Sequence, residues 1–391
     1  MKSIKIITSL LITISPLLLL GQTVEEVWNA VSNNNLTIKA YQQQKEAECM
    51  ENHVGLAPDN TEVEFAYLWG NPNSIGNRID VSVMQPFEFP TTYVYRNRIA
   101  RLRDEQSAHL LNQQQNEVLK EVGELYYNIV YQNARISDMN HCLQFLSDIS
   151  SAYKAKFDAG EINIFDYNRV KLAELNLQQE KSHAETERNN LLLQLQQLNG
   201  GVKLEVTEDE FPEFALYNSF NDWQLKNPKM EWLNKQQEIS QQEVKLSKSM
   251  WAPKFQAGYM CERVPSELFQ GIKVGLTLPL WQQTNTVKLA TAQSSAAALL
   301  AADEQFRFRT HLQCCYETTR ALVQQIDEYR SLIQSVDVFE LLNQALESGQ
   351  ISLIEYLSEL SLYHESHERL CEMEHDAAMQ YLELQLYSRQ Q

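Results

Sequence analysis

One stretch of this chain occurs twice, and that repetition restricts the possible folds more than any other feature. Phe157-Asp158-Ala159-Gly160-Glu161-Ile162-Asn163-Ile164-Phe165-Asp166-Tyr167 returns as Leu346-Glu347-Ser348-Gly349-Gln350-Ile351-Ser352-Leu353-Ile354-Glu355-Tyr356, at an offset of 189 residues, the separation of Gly160 and Gly349. Helical patterns run before and after each copy. Glycine ends a helix in the left-handed conformation without the Cβ clash that other residues meet. Three positions on stand Asn163 and Ser352, residues suited to cap the next helix. Each copy therefore reads as the bend of a helical hairpin. Two unrelated helix ends would give the same local pattern, but they would not explain why the flanks repeat as well.

The first half opens with a helical pattern over residues 23–55, which Pro58 ends. Two alternating segments follow. Val63, Phe65, Tyr67 and Trp69 alternate with Glu62, Glu64, Ala66 and Leu68; then Ile79, Val81 and Val83 alternate with Asp80, Ser82 and Met84. Alternation with one polar face is the pattern of a half-buried antiparallel hairpin. From about Tyr95 to Lys156 there is one helical pattern without proline, with three- and four-residue steps through Val118, Val122, Leu125 and Ile129. Some sixty residues at 1.5 Å rise span roughly 90 Å, and such steps belong to a coiled-coil seam. Beyond the Gly160 bend a second helix runs to Leu198 and stops at Asn199-Gly200-Gly201.

The plan then repeats. A helix opens at Asn227-Pro228, Trp251 to Cys261 alternates, and a loop with Pro265 follows. Ile272, Val274, Leu276, Leu278 and Leu280 alternate next. Asn285 to Leu346 reads as the second long helix, and a last helix after Gly349 runs to Leu386. The expected division is a first repeat over residues 22–201 with strands at about 61–69 and 78–87, and a linker at 202–220. The second repeat covers residues 221–391, with strands at about 251–261 and 271–280. The fold class is mainly α with a small β part.

Composition removes several functions. The net charge of −18 disfavours nucleic acid, whose phosphates need clustered Lys and Arg. Charged residues at 21% and hydrophobic residues at 43% fit neither a disordered chain nor a polytopic helical membrane protein. Lys2 and Lys5 precede an apolar run from Ile6 to Leu20, which reads as a secretory signal peptide over residues 1–21. No later stretch approaches the ~20 apolar residues of a spanning helix. The six cysteines lack framework spacing and read as mostly buried small hydrophobes.

Four strands of about nine residues have the length that crosses a bilayer when tilted. Their apolar faces (Val63, Phe65, Tyr67; Ile79, Val81, Val83; Phe255, Tyr259; Ile272, Val274, Leu276) would meet lipid. Trp69, Trp251 and Trp281 stand at strand ends, where aromatic girdles belong. Open sheet edges are forbidden in lipid, and barrels need at least about eight strands. Several subunits must then share one barrel, and three chains would supply twelve strands.

This doubled plan resembles the TolC-like outer-membrane factors of tripartite efflux and type I secretion systems. The resemblance rests on Phe157…Gly160…Asp166, Leu346…Gly349…Glu355, the Trp251-Ala252-Pro253 strand opening, and Val274-Gly275-Leu276-Thr277-Leu278-Pro279-Leu280. It covers essentially the whole mature chain through the order of these motifs. It implies a homotrimer, with a twelve-stranded β-barrel in the outer membrane of a Gram-negative bacterium and a helical barrel in the periplasm. It also implies a tip at the two bends (Phe157, Gly160, Ile162, Leu346, Gly349, Ile351) that meets a periplasmic adaptor serving an inner-membrane pump. Glu355 falls on an acidic gate position, with Asp166 its repeat mate. Where such proteins often carry a second acid stands Ser358, with Glu359 beside it.

Each site has a plainer alternative. An acid in the first helical turn is favourable through the macrodipole alone. His364, His367, Cys371 and His375 share one helix face, with donors suited to copper or zinc. The stripe's ends lie roughly 16 Å apart, so at most pairs could share an ion; packing or solvated roles serve equally well. No catalytic constellation, phosphate loop or cofactor motif stands out. The expected function is a passive outer-membrane efflux duct for small molecules or metal ions, not an enzyme. The alternatives are a type I protein-secretion duct and a periplasmic coiled-coil scaffold with no membrane barrel.

Overall fold

The computed structural model describes residues 22–216, 220, 227–333 and 338–388. The expected leader lies outside them, as do residues 217–219 of the expected linker. In chain order the elements are α1 (Val24–Asn34), α2 (Leu36–Asn52), β1 (Glu62–Leu68), β2 (Arg78–Phe87), α3 (Pro90–Asp158) and α4 (Ile164–Leu198). They continue with α5 (Pro228–Ser249), β3 (Lys254–Val264), β4 (Glu267–Thr277), α6 (Thr286–Ile333), α7 (Val338–Glu347) and α8 (Leu353–Ser388). The chain is mostly helical with one small antiparallel sheet.

Several boundaries differ from the sequence expectation; α3 starts at Pro90 rather than about Tyr95, and β3 runs over Lys254–Val264 rather than about 251–261. The helix expected over 23–55 is two helices, because Asn35 adopts an extended backbone and its side chain accepts the Ile38 N–H at 2.8 Å. That is an N-cap, formed where three asparagines adjoin. The second long helix is described as α6 and α7, and residues 334–337 between them lie outside the described residues. Strand β4 starts at Glu267, ahead of the expected 271, and ends at Thr277 rather than 280. Pro265 and Ser266 turn the chain tightly enough for Val264 to pair with Glu267.

The chain divides into two compact units, one of Met1–Asn34, Val122–Glu213 and Gln325–Asp376, the other of Asn35–Glu121, Phe214–Gln324 and Ala377–Gln391. In the first, a core forms from Cys142, Leu146 and Ile149 of α3, Val170 of α4, Phe339 of α7, and Leu353, Tyr356 and Leu360 of α8. The three- and four-residue spacing on each helix places these side chains along one seam. Val27, Trp28 and Val31 of α1 are fully buried. At the end of α4, Gly200 has a φ of +64°, and a Cβ there would lie 2.6 Å from the Asn34 carbonyl oxygen, so both conformation and close approach require glycine.

The second unit holds the sheet. Its helical core joins Leu312, Cys315 and Tyr316 of α6 to Leu384 of α8. Polar links tie α3 to α5: Gln106 Nε2 donates to Gln236 at 2.8 Å, and Arg103 pairs with Glu243 at 3.1 Å. Cys315 is buried and its neighbour Cys314 exposed, as a helix requires of adjacent residues.

The sheet order is β1-β2-β3-β4, antiparallel throughout. Residues paired across strands share a face. The register therefore puts Val63, Val83, Tyr259 and Ile272 in one row, and Phe65, Val81, Cys261 and Gln270 in the next. Glu62, Glu64, Asp80, Ser82, Glu262 and Lys273 occupy the other side.

Strands β2 and β3 approach closely at Gly258, where a Cβ would stand 2.0 Å from the Val83 carbonyl oxygen and 2.9 Å from Met84 Cα. Backbone cannot yield there as a flexible side chain can. At Gly271 no atom lies within 4 Å of the same position. Gly258→Val should lower the urea unfolding midpoint by the equivalent of about 1–3 kcal/mol. Gly271→Val should stay within about 0.5 kcal/mol of the parent.

Candidate functional site

Two local arrangements stand out: the paired helical bends of the first unit and the apolar face of the sheet in the second. At the first bend Gly160 has a φ of +75°, its N–H donates to the Phe157 carbonyl at 2.9 Å, and the Glu161 N–H reaches back to Lys156 at 2.8 Å. At the second, Gly349 has a φ of +71°, its N–H donates to Leu346 at 3.2 Å and that of Gln350 to Ala345 at 2.9 Å. Both satisfy the carbonyls that a helix end leaves unpaired, through the same crossed pair of bonds. A Cβ added to either glycine would meet nothing within 4 Å. The positive φ, not crowding, is what calls for glycine.

The next helix is capped at each bend by the residue the spacing singled out. Asn163 Oδ1 accepts from the Phe165 and Asp166 N–H groups at 2.8 and 2.9 Å, and Asn163 Nδ2 donates to Asp166 Oδ2 at 2.8 Å. At the second bend, the Ser352 N–H donates to Glu355 Oε2 at 2.7 Å, and the Glu355 N–H donates back to Ser352 Oγ at 3.3 Å. This is a capping box. The bond from the Ser352 N–H, followed by that from its side chain, lowers the Glu355 pKa from the ordinary value of 4.5. Glu355 is exposed, as is Glu359, and Asp166 is half-buried with Arg169 at 3.5 Å.

The remaining bend residues divide between packing and surface. Phe157 stacks on Tyr167 with ring centres 5.5 Å apart, while Leu346 and Ile351 pack against the core that contains Tyr356. Ile162 is half-buried. Sequence reasoning passed over Phe165 and Ile354, which are 70% and 56% exposed. They are repeat mates at the same 189-residue offset, a signal that could have found them.

On the sheet, the row-by-row register gathers the expected apolar positions of all four strands onto one face. Val63, Phe65, Ile272, Val274 and Leu276 are exposed there, with Ile272 at 87%. Trp69, Trp251 and Trp281, beyond the strand ends, are exposed too. Among the described residues, no helix is long and apolar enough to cross a membrane; that statement concerns helices only.

The His and Cys stripe of α8 meets different neighbours along its length. His364 Nδ1 lies 2.8 Å from Asp138 Oδ2, and His367 Nδ1 3.5 Å from Asp138 Oδ1. Cys371 is buried, and burial pushes its thiol up to about 12. His375 Nε2 lies 3.0 Å from Asn128 Oδ1, and its ring stands 5.0 Å from that of Tyr131. The acid that organises the first two histidines is on α3 and had no mark in the sequence.

By sequence, the chain matches no protein-family model and no curated protein. Among solved structures it is similar to the CmeC outer membrane channel of Campylobacter jejuni, at 13% identity and a TM-score of 0.75, covering 95% of this chain and 87% of that one. A membrane protein from Pseudomonas aeruginosa matches at 12% identity and a TM-score of 0.78, covering 93% and 89%. The open state of the Neisseria gonorrhoeae MtrE outer membrane channel matches at 11% identity and a TM-score of 0.70, covering 93% and 88%. The chain therefore has the TolC-like fold of these outer-membrane channels.

The capping box makes a pH prediction for the second bend. A carboxyl whose folded pKa is depressed contributes stability above its unfolded value and loses it as pH falls through the folded value. Amide exchange at the start of α8 should therefore rise on acidification below the ordinary Glu range. Ser352→Ala, which keeps the backbone N–H, should raise that exchange at neutral pH but retain part of the pH dependence, whereas Glu355→Gln should remove it.

Proposed function

We propose that this chain forms an outer-membrane efflux duct, a passive channel for small molecules or metal ions handed on by an inner-membrane pump and a periplasmic adaptor. The observation that carries this reading is the sheet. Four strands gather Val, Ile and Phe side chains on one face, with those of β1 and β4 exposed, and among the described residues each outer strand pairs on one side only. In lipid the free N–H and C=O groups of those edges would each cost several kcal/mol. Pairing β1 of one copy with β4 of the next removes both edges, and three copies close twelve strands. The fold shared with outer-membrane channels supports the same assembly. A periplasmic coiled-coil scaffold would leave this face in water with no reason for its rows of Val, Ile and Phe.

The bends then have two roles. Phe165 and Ile354, exposed apolar side chains five residues past the two glycines, suit burial by the adaptor and support a docking tip at the bends together with Gly160 and Gly349. Glu355, Asp166 and Glu359 are the candidate gate acids. Three copies of Glu355 around a narrow lumen would raise one another's pKa and bind cations, because like charges held close resist ionising together. That effect opposes the lowering supplied by the Ser352 cap.

In detergent the protein should run as a trimer that converts to monomer on heating, with conducting pores in planar bilayers. A monomer without conductance would overturn the duct reading. Glu355→Ala should weaken divalent-cation block of the pore by about tenfold or more, the equivalent of one pKa unit of charge interaction; unchanged block would remove Glu355 from the gate. Gly349→Trp and Ile354→Glu should abolish efflux while trimers still assemble, and loss of the trimer would show the bend to be structural only.

A further inference from the structure

The two helices α3 and α8 place one thiol, one imidazole and one carboxylate at a common point in the first unit. Asp138 and Cys142 are four residues apart on α3, so they lie on one face of that helix. His364 of α8 points between them. The Sγ of Cys142, a carboxylate oxygen of Asp138 and a ring nitrogen of His364 all lie within 4.8 Å of one another. Cys142 is fully buried and unpaired with any other cysteine, and the side chains of Asp138 and His364 are only 11% and 17% exposed.

The geometry points to a binding site for a borderline divalent transition metal of the zinc class, ligated by Asp138, Cys142 and His364, which clamps α3 to α8. This inference is independent of the duct reading. Zn²⁺ takes thiolate, imidazole and carboxylate donors at about 2.0–2.3 Å in a tetrahedron, which sets ligand atoms about 3.3–3.8 Å apart. The Asp138 and His364 donors stand 2.8 Å apart and all three lie within 4.8 Å of one another, so side-chain rotations would open the first contact and draw Cys142 in. His367, on the other oxygen of Asp138 at 3.5 Å, would orient that carboxylate as ligating acids are commonly held. A cavity of about 570 Å³, lined in part by Asp138, His141, His367, Cys371 and Glu374, adjoins the cluster and gives an ion a polar way in.

Of the ring nitrogens, it is His364 Nδ1 that faces Asp138, at 2.8 Å. His364 Nε2 is shielded from solvent without a hydrogen bond and lies 3.7 Å from Glu180 Oε2, away from Cys142. On the far side of His364, Glu180 and Glu368 also approach the ring. That side is already neutralised, because the Arg135 guanidinium donates to Glu180 at 3.1 Å and to Glu368 at 2.5 Å. A cation there would meet Arg135, so the metal belongs on the Asp138 and Cys142 side. A soft donor is present only on that side, which favours zinc-class ions over magnesium or calcium.

The test uses the full chain in detergent, stripped of metal and titrated with Co²⁺ alone. One equivalent per chain should produce a near-ultraviolet thiolate-to-cobalt charge-transfer band and the strong visible bands of a tetrahedral site, both lost on adding Zn²⁺. Cys142→Ser should abolish the charge-transfer band, and Asp138→Asn, which keeps a hydrogen-bonding group beside His364, should weaken Co²⁺ binding by at least about 10–100-fold. Cys314→Ser, at an exposed thiol, should change neither. Zn²⁺ should raise the thermal midpoint of the parent and of Cys314→Ser, and leave that of Asp138→Asn unmoved. Absence of the charge-transfer band in the parent, or its survival in Cys142→Ser, would overturn the site. So would an equal Zn²⁺-induced shift in Asp138→Asn.

Discussion

An antiparallel sheet must satisfy its edges, and in this chain it cannot do so alone. Among the described residues, strand β1 pairs only with β2, and β4 only with β3. In water such edges are a hazard that charge or a covering loop can reduce. Here the edge strands carry exposed apolar side chains as well, so water can satisfy the backbone edges but not the side chains. The long helices fit the same constraint. In the proposed trimer a subunit would contribute a third of a barrel and of a helical wall, and its helices need not form a self-contained bundle. Leu289, Leu299, Leu300 and Phe306 of α6, all exposed in the single chain, fit that proposal.

The bends allow one residue to hold a local role and the proposed gate role without contradiction. Glu355 closes a capping box within four residues, and any helix beginning at Leu353 would benefit from it. That local bond also fixes where the carboxylate points. A side chain with several free rotamers would be a poor gate, because ordering it on closure costs entropy. Asp166 is held by Asn163 in a related way. The repeat thus preserved a cap in both halves, with serine and glutamate in one and asparagine and aspartate in the other.

What could be read from the sequence depended on how local the determining interaction was. Strand alternation, glycine bends and caps are set within a few residues, and they were legible: Gly160, Gly349, Asn163 and Ser352 do what their spacing suggested. The β3–β4 turn was less so, because Pro265 suggested a loop while cross-strand pairing carried the ladder through Leu268 and Phe269. The side-by-side joining of the two hairpins through β2 and β3 is a long-range choice with no local mark. The same holds for the α8 histidines. Their shared face was visible, but Asp138, 226 residues from His364, was not. Phe165 and Ile354 were passed over for a different reason: attention to the glycines drew it away from the exposed residues the glycines serve to present.

Helix α8 brings these points together. Its buried seam in the first unit runs through Leu353, Tyr356 and Leu360, then His364, His367 and Cys371, in steps of three and four. The period does not change, but the chemistry does, from apolar to ionisable, without a break in the helix. An apolar seam would accept leucine at 364 and 367 with less risk, since burying imidazole demands partners. The partners exist only because α3 changes in step: Leu146 and Ile149 face the apolar part, and Cys142 and Asp138 face the ionisable part. Two helices far apart in sequence thus switch character at the same level. Nothing in hydrophobic packing requires that match. A polar layer specifies register between helices that a uniform leucine seam would leave free to slide.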